Sequence, residues 1–238
     1  MSTLFSSIPR RDWAIKNISV HFGINDDDLD GLVLLVGRSS SGKTALMRLI
    51  AGDKLHSGNV FVNGVNIHDN DVRNTRPQIL NCKPNCYDDS LSVLDQLVNV
   101  GRNTKSSYDL VKLVARDFAH IIGLTDKQLE GKPSNLSQSG QYMFGIVGGC
   151  MQSVRDTMPV SIKDVQDQGL YFPILLLDEL FDSEHSSIAV KVGKGLKELT
   201  RLGGVVISAT HKPQYLDDTA ARIITLSGGE ILTDLTEN

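Results

Sequence analysis

Gly37-Arg38-Ser39-Ser40-Ser41-Gly42-Lys43-Thr44 has the form G-x-x-x-x-G-K-T. The apolar run Leu32-Val33-Leu34-Leu35-Val36 precedes it, and a helix-like stretch, Ala45-Leu46-Met47-Arg48-Leu49-Ile50, follows. Strand, glycine-rich loop and helix in that order form the setting in which this motif cradles phosphate. The glycines let the backbone wrap closely around phosphate oxygens. Successive N–H groups and the N-terminus of the helix then face the negative charge. Lys43 supplies a cation for the outer phosphates, and Thr44 supplies a hydroxyl for Mg²⁺. The stretch therefore predicts a binding site for a nucleoside triphosphate.

With 238 residues the chain suits one large domain, or a core with a subdomain. Hydrophobic residues are 40 % and charged residues 22 %, as in a soluble globular protein. The net charge of -4 argues against a dedicated nucleic-acid binder, which carries a basic footprint, so no nucleic-acid partner is expected. No apolar run approaches a membrane span, so any membrane crossing must come from another chain. Cys82, Cys86 and Cys150 read as reduced thiols of an intracellular protein, and no second ligand pair stands at metal-site spacing from Cys82 and Cys86. The first residues contain no apolar signal core, and the expected location is cytoplasmic, with peripheral attachment to the cytoplasmic face of a membrane as an option.

Residues 13–22 show partial alternation and β-branched side chains, which predicts one or two strands. The acidic run Asp26-Asp27-Asp28-Leu29-Asp30 predicts an exposed turn, since it lacks the spacing of a calcium loop. Residues 58–64 predict a short strand closing on a turn. Residues 90–151 carry apolar side chains at helical spacing, as at Leu94, Leu97 and Val98 and at Leu110, Leu113 and Val114. Buried strands are predicted at 173–178, 204–208 and 222–226, with a helix over 187–201. Alternating strands and helices imply an α/β fold, a P-loop NTPase core with a mainly parallel sheet, N-terminal antiparallel strands and an inserted helical subdomain. The expected organisation is a core over about 1–85 and 170–238, a helical subdomain over about 86–151, and a polar surface insertion over about 152–171.

Ile174-Leu175-Leu176-Leu177-Asp178-Glu179 is an apolar strand that ends in two acids. Such an end lies at the carboxyl edge of the sheet, where α/β proteins bind ligands and where the phosphate loop also belongs. Asp178 is placed to hold Mg²⁺. Glu179 is placed to orient and deprotonate an attacking water.

The order of phosphate loop, helical middle, strand with Asp-Glu and strand with His resembles the ATP-binding-cassette (ABC) ATPases over nearly the whole chain. Leu136-Ser137-Gln138-Ser139-Gly140 stands where that family has Leu-Ser-Gly-Gly-Gln. The resemblance implies that Ser137, Gln138, Ser139 and Gly140 face the nucleotide of a partner cassette in a head-to-tail dimer. It implies that His211, after Ile207-Ser208-Ala209-Thr210, contacts the γ-phosphate, and that Phe22 stacks on adenine. Leu226-Ser227-Gly228-Gly229-Glu230-Ile231 matches the family's closing hairpin, with Ser-Gly-Gly-Glu as a turn.

The chain departs from the family pattern in four places. Gln138 and Ser139 replace glycines, and a Cβ there hinders close approach to phosphate. Counting back from Leu91-Ser92-Val93 places Lys83 at the position of the family's Mg²⁺-binding glutamine, with Pro84 or Gln78 as alternatives; a lysine cannot ligate the metal but can pair with a phosphate. Residues 180–185 lack the usual Pro-Thr-Ser-Ala-Leu-Asp. The stretch 152–171 is longer than the family norm. Residues for hydrolysis in the chain's own site are intact, and those offered to a partner have drifted.

The resemblance implies an ATP-binding and ATP-hydrolysing subunit of a transporter, using ATP and Mg²⁺, paired with a second ABC ATPase domain and docked on transmembrane subunits. A heterodimer is favoured over a homodimer. The alternatives are a soluble, non-transport ABC ATPase and an ATP-binding regulatory protein with weak hydrolysis.

Overall fold

The computed structural model describes residues 15–20, 22, 32–52, 59–62, 65–66, 78–80, 88–103, 105–155, 158, 174–178, 186–211, 213 and 222–236. Among these residues the centre is a six-stranded sheet in which β1 (Leu32–Val36) lies between β6 (Val205–Thr210) and β7 (Arg222–Ser227). Outward from β6 come β5 (Ile174–Asp178) and β4 (Gln78–Leu80), and outward from β7 comes β8 (Glu230–Thr236). All neighbours pair in parallel except β7 and β8, which form an antiparallel hairpin with a bulge at Thr225/Leu226. The parallel, α/β core expected from the alternation is the one observed. A separate antiparallel pair, β2 (Phe61–Val62) and β3 (Val65–Asn66), accounts for the short strand expected at 58–64.

The apolar runs follow from burial on both faces of the sheet. In β1, Leu32 and Leu34 face one core, and Val33 and Leu35 face the other; all are fully buried. The first core is covered by α2 (Val93–Gly101), α3 (Tyr108–Ile122), α5 (Gln138–Val154) and α6 (Ser186–Arg201), with the short α4 (Asp126–Glu130) beside them. The second is covered by α1 (Lys43–Ile50) through Leu46 and Met47. Each buried leucine of this kind stabilises the fold by about 1.5–3 kcal/mol relative to exposure.

The helices start where the sequence places their caps. The Ser92 hydroxyl accepts the Asp95 N–H at 3.0 Å, Ser107 accepts Leu110 N–H at 3.3 Å, and Thr125 and Gln128 form a capping box. Gly123, left-handed at φ 105°, ends α3. The α3 and α6 helices meet at Gly195: a Cβ there would lie 2.8 Å from the Ile121 carbonyl oxygen and 2.8 Å from Ile122 Cα.

Two expectations change. Residues 15–20 and 22 are not in a strand. Their alternation still serves burial, because Ile15, Ile18, Val20 and Phe22 pack against the second core. A bond from the Lys16 N–H to the Gly229 carbonyl, at 2.7 Å, ties this segment to the β7–β8 turn. The helical region also runs past residue 151: α5 continues to Val154, and Met158 is buried in the first core. Ser106 Oγ donates to the Met158 carbonyl at 3.2 Å, and Asn103 Nδ2 donates to that of Arg155. The start of the expected insertion is thus anchored on the α2–α3 loop; the rest of it, the acidic run 26–30, Cys82 and Cys86 lie outside the described residues.

Candidate nucleotide site

Parallel pairing brings three strand ends to one edge. Val36 of β1 is in register with Thr210 of β6, and Asp178 of β5 with Ala209. The loop from Gly37 leaves β1 at this edge and enters α1, with Gly42 as the N-cap in left-handed conformation, φ 108°. Ser40 is also left-handed, φ 63°, which is uncommon for a residue with a side chain. Gly37 admits no other residue, because a Cβ would stand 2.4 Å from the Leu226 carbonyl oxygen. The loop curls around a cleft of about 330 Å³ lined by Ser39 to Ala45 and by His211.

Lys43 is 5 % exposed. Its ammonium donates to the carbonyls of Gly37 at 2.8 Å and Arg38 at 3.2 Å. His211 Nδ1 approaches the same Gly37 carbonyl at 3.0 Å and Lys43 Nζ at 3.4 Å. The shorter approach to an oxygen requires the proton on Nδ1, so both side chains donate to one carbonyl. Two donors from opposite ends of the sequence thus converge beside the loop, where an outer phosphate oxygen can replace the carbonyl as acceptor.

On the other side of the loop, the Thr44 hydroxyl donates to Asp178 Oδ1 at 3.3 Å. A hydroxyl and a carboxylate in contact at the mouth of a phosphate cradle are an oxygen donor set suited to a hard divalent cation. Among the described residues no cluster of three or more His, Cys, Asp or Glu offers another metal site.

The expected residues separate into three groups. The structure brings together Gly37, Arg38, Ser39, Ser40, Ser41, Gly42, Lys43, Thr44, Asp178 and His211. Ser137, Gln138, Ser139 and Gly140 lie at the start of α5 and do not line the cleft. Ser137 caps that helix, accepting the Gly140 N–H at 3.3 Å and lying 3.0 Å from the Ser139 hydroxyl. Gln141 Nε2 donates back to the Leu136 carbonyl at 3.3 Å. Glu179 and Lys83 lie outside the described residues.

Phe22, expected at the adenine, does not line the cleft. Its ring packs against the second core, with the Arg222 guanidinium 5.9 Å from its centroid. Arg222 in turn makes a two-pronged pair with Asp234, 2.7 Å at each prong, which holds the Asp234 carboxyl below the usual range. Sequence reading had no local signal for this Arg222 contact across the hairpin. It also missed Leu226 and Gly229, whose only signal was the Ser-Gly-Gly turn.

The model of the ABC transporter family matches residues 20–155. An uncharacterized ABC transporter ATP-binding protein of Mycobacterium tuberculosis is 30 % identical over 212 residues, covering 84 % of this chain and 75 % of its own length. The glutamine transport ATP-binding protein GlnQ of Escherichia coli is 25 % identical over 234 residues, 92 % of this chain and 89 % of its own. Among solved structures, an ATP-binding cassette in a dimeric post-hydrolysis state with ADP and phosphate aligns with a TM-score of 0.66 at 20 % identity, over 94 % of this chain and 90 % of the other. The cbiO1 protein of Clostridium perfringens aligns at 0.73 and 17 % identity, over 94 % and 82 %. These two share the fold. The family model over more than half of the chain and the relatives in sequence, with a phosphate loop facing Asp178 and His211 at one sheet edge, place the chain in the ABC transporter family, as one of its ATP-binding, ATP-hydrolysing cassettes.

Proposed function

We propose that the chain is the nucleotide-binding subunit of a transporter and that it cleaves ATP in a composite site completed by a second cassette. The observation that carries this reading is the convergence of Lys43, Thr44, Asp178 and His211 on one cleft. The backbone N–H groups of the loop from Gly37 to Thr44 hold the phosphates, and the N-terminus of α1 faces them. Lys43 exchanges the Gly37 and Arg38 carbonyls for outer phosphate oxygens. His211, on the same side, donates to the γ-phosphate. Thr44 and Asp178 would hold Mg²⁺, which supplies neutralising charge when bound. Glu179, next to Asp178 in the chain, takes a proton from the attacking water. The water oxygen bonds to the γ-phosphorus, the bond from that phosphorus to the β–γ bridging oxygen breaks, and ADP leaves.

The second cassette is a different chain on this reading. Ser137, Gln138, Ser139 and Gly140 are this chain's offering to a partner nucleotide, and their loss of glycines makes that offering poor. The intact residues of its own cleft are served by a partner with glycines at those positions. Lys83 pairs with phosphate. The relatives named above include a glutamine transport protein, and cbiO1 is described as part of a transporter complex. No helix among the described residues is long and apolar enough to cross a membrane.

The test is hydrolysis by the purified chain alone and with candidate partner cassettes, alongside capture from native membranes. Turnover that rises when a second, different cassette is added, with a multispanning protein recovered alongside, supports the reading. Brisk turnover by homodimers with no membrane partner counts against it.

A further inference from the structure

The phosphate loop is held from behind by the turn between β7 and β8. The Gly229 N–H donates to the Ser41 carbonyl at 3.0 Å. The Gly229 carbonyl, at the other end of the residue, accepts the Lys16 N–H at 2.7 Å. The Leu226 carbonyl presses on Gly37 so closely that a Cβ there would lie 2.4 Å from it. Leu226 itself is 1 % exposed and shares the second core with Leu46 and Met47 of α1. The end of β7 and the turn therefore meet the first residue of the loop and its fifth, Leu226 shares a core with the helix that follows, and none of these residues lines the cleft.

The contact at Ser41 sits one residue after the strained Ser40, φ 63°. Left-handed backbone is unfavourable for a residue with a Cβ and persists where surrounding contacts hold it. Ser41 is held on both sides: its N–H donates to the Arg38 carbonyl at 3.1 Å, and its carbonyl accepts from Gly229. Gly229 can reach it because Gly229 is itself left-handed, φ 84°, a conformation glycine adopts without penalty.

We propose that the β7–β8 turn is a brace that keeps the phosphate loop in its anion-binding shape before nucleotide arrives, with Gly229 as the positioning residue and Ser40 as the strain it holds. This rests on the loop being the ATP site. It also links the N-terminal segment at Lys16 to the loop through one shared residue.

The experiment compares ATP affinity in five proteins: wild type, Gly229→Ala, Gly228→Ala, Ser40→Gly, and Gly229→Ala with Ser40→Gly. Both alanines impose left-handed strain on the same turn, since Gly228 is at φ 57° with open space around it. Gly229→Ala should weaken ATP binding about tenfold and Gly228→Ala about threefold or less. Ser40→Gly should return the double variant to within about threefold of Ser40→Gly alone, because there is no longer strain to hold. Equal losses at Gly228 and Gly229, or a full additive loss in the double variant, would overturn the brace. If Gly229→Ala does not fold, hydrogen exchange on the wild type decides. ATP should slow exchange of the 227–230 segment together with that of 37–44. Protection of the loop with none at the turn rejects the brace, whereas no protection of the loop overturns the ATP reading beneath it.

Discussion

Thr44 and Asp178 stand 134 positions apart in the chain and meet at 3.3 Å, hydroxyl to carboxylate. The contact arises because β1 and β5 both run parallel to β6, one on each side of it, so their carboxyl ends stop at the same edge. Replacing Asp178 with Asn keeps the shape and removes the charge. Nucleotide measured without Mg²⁺ should bind within about twofold of wild type, while the gain in affinity on adding Mg²⁺ should shrink by roughly tenfold or more. An unchanged Mg²⁺ effect would remove Asp178 from the metal site.

Lys43→Ala deletes a charge-assisted contact worth about 1.5–3 kcal/mol to a phosphate oxygen. Titrating ATP into both proteins should show an affinity lower by roughly 10- to 100-fold. Equal affinities would mean that the ammonium stays on the Gly37 and Arg38 carbonyls in the bound state.

Glu179→Gln should leave ATP binding intact and cut turnover by roughly 10²-fold or more, since only basicity is removed. Single-turnover hydrolysis in the presence of the best partner cassette gives the cleanest reading. Retained turnover would assign the water's proton to another acceptor.

At the signature, repair belongs at Gln138 and Ser139 alone. The family pattern also puts Gln at Gly140, but a Cβ there would meet Leu136 Cβ at 3.2 Å and Cδ2 at 3.3 Å, tighter than ordinary packing. Gln138→Gly with Ser139→Gly should raise the ATPase rate of the isolated chain several-fold, roughly 1 kcal/mol in the barrier. Adding Gly140→Gln should lower the melting temperature. No gain in rate from the glycine pair would argue that the drifted segment is not what limits the homodimer.

The Arg222–Asp234 pair predicts a pH dependence. The Arg222 guanidinium depresses the folded-state pKa of Asp234 below the value in the unfolded chain. The stabilisation is therefore fully present above the ordinary carboxylate pKa and is lost as pH falls through the lowered one. Asp234 is about a third exposed, so screening limits the pair to about 1 kcal/mol or less. Asp234→Asn should cost that amount at pH 7 and nothing once the pH is below both pKa values. Denaturant melts at several pH values measure the difference.

Local signals explain why much of this was legible. The loop from Gly37, the apolar β1 and β5, and the caps at Ser92 and Ser107 each announce themselves within a few residues, because backbone geometry and both-face burial act locally. Asp178 was found by its position at a strand end and His211 through the family resemblance, and the parallel topology brings their strand ends to one edge. What stayed hidden depends on contacts across the chain. Phe22 looks like a free aromatic until Arg222 is seen over it, and residues 15–20 have the alternation of a strand without strand pairing. Gly229 reads as an ordinary turn glycine, since nothing local tells that its N–H and carbonyl will bond to Ser41 and Lys16.

Gly195 has a mechanical meaning. With the Ile121 carbonyl and Ile122 Cα standing 2.8 Å from where a side chain would begin, α3 and α6 touch main chain to main chain. Such a seam has no spacer that could be compressed or re-seated. Sliding α6 along α3 by a residue would drive Lys194 or Leu196 into backbone. The joint therefore fixes the register of the two helices, and that register is set by an absent side chain.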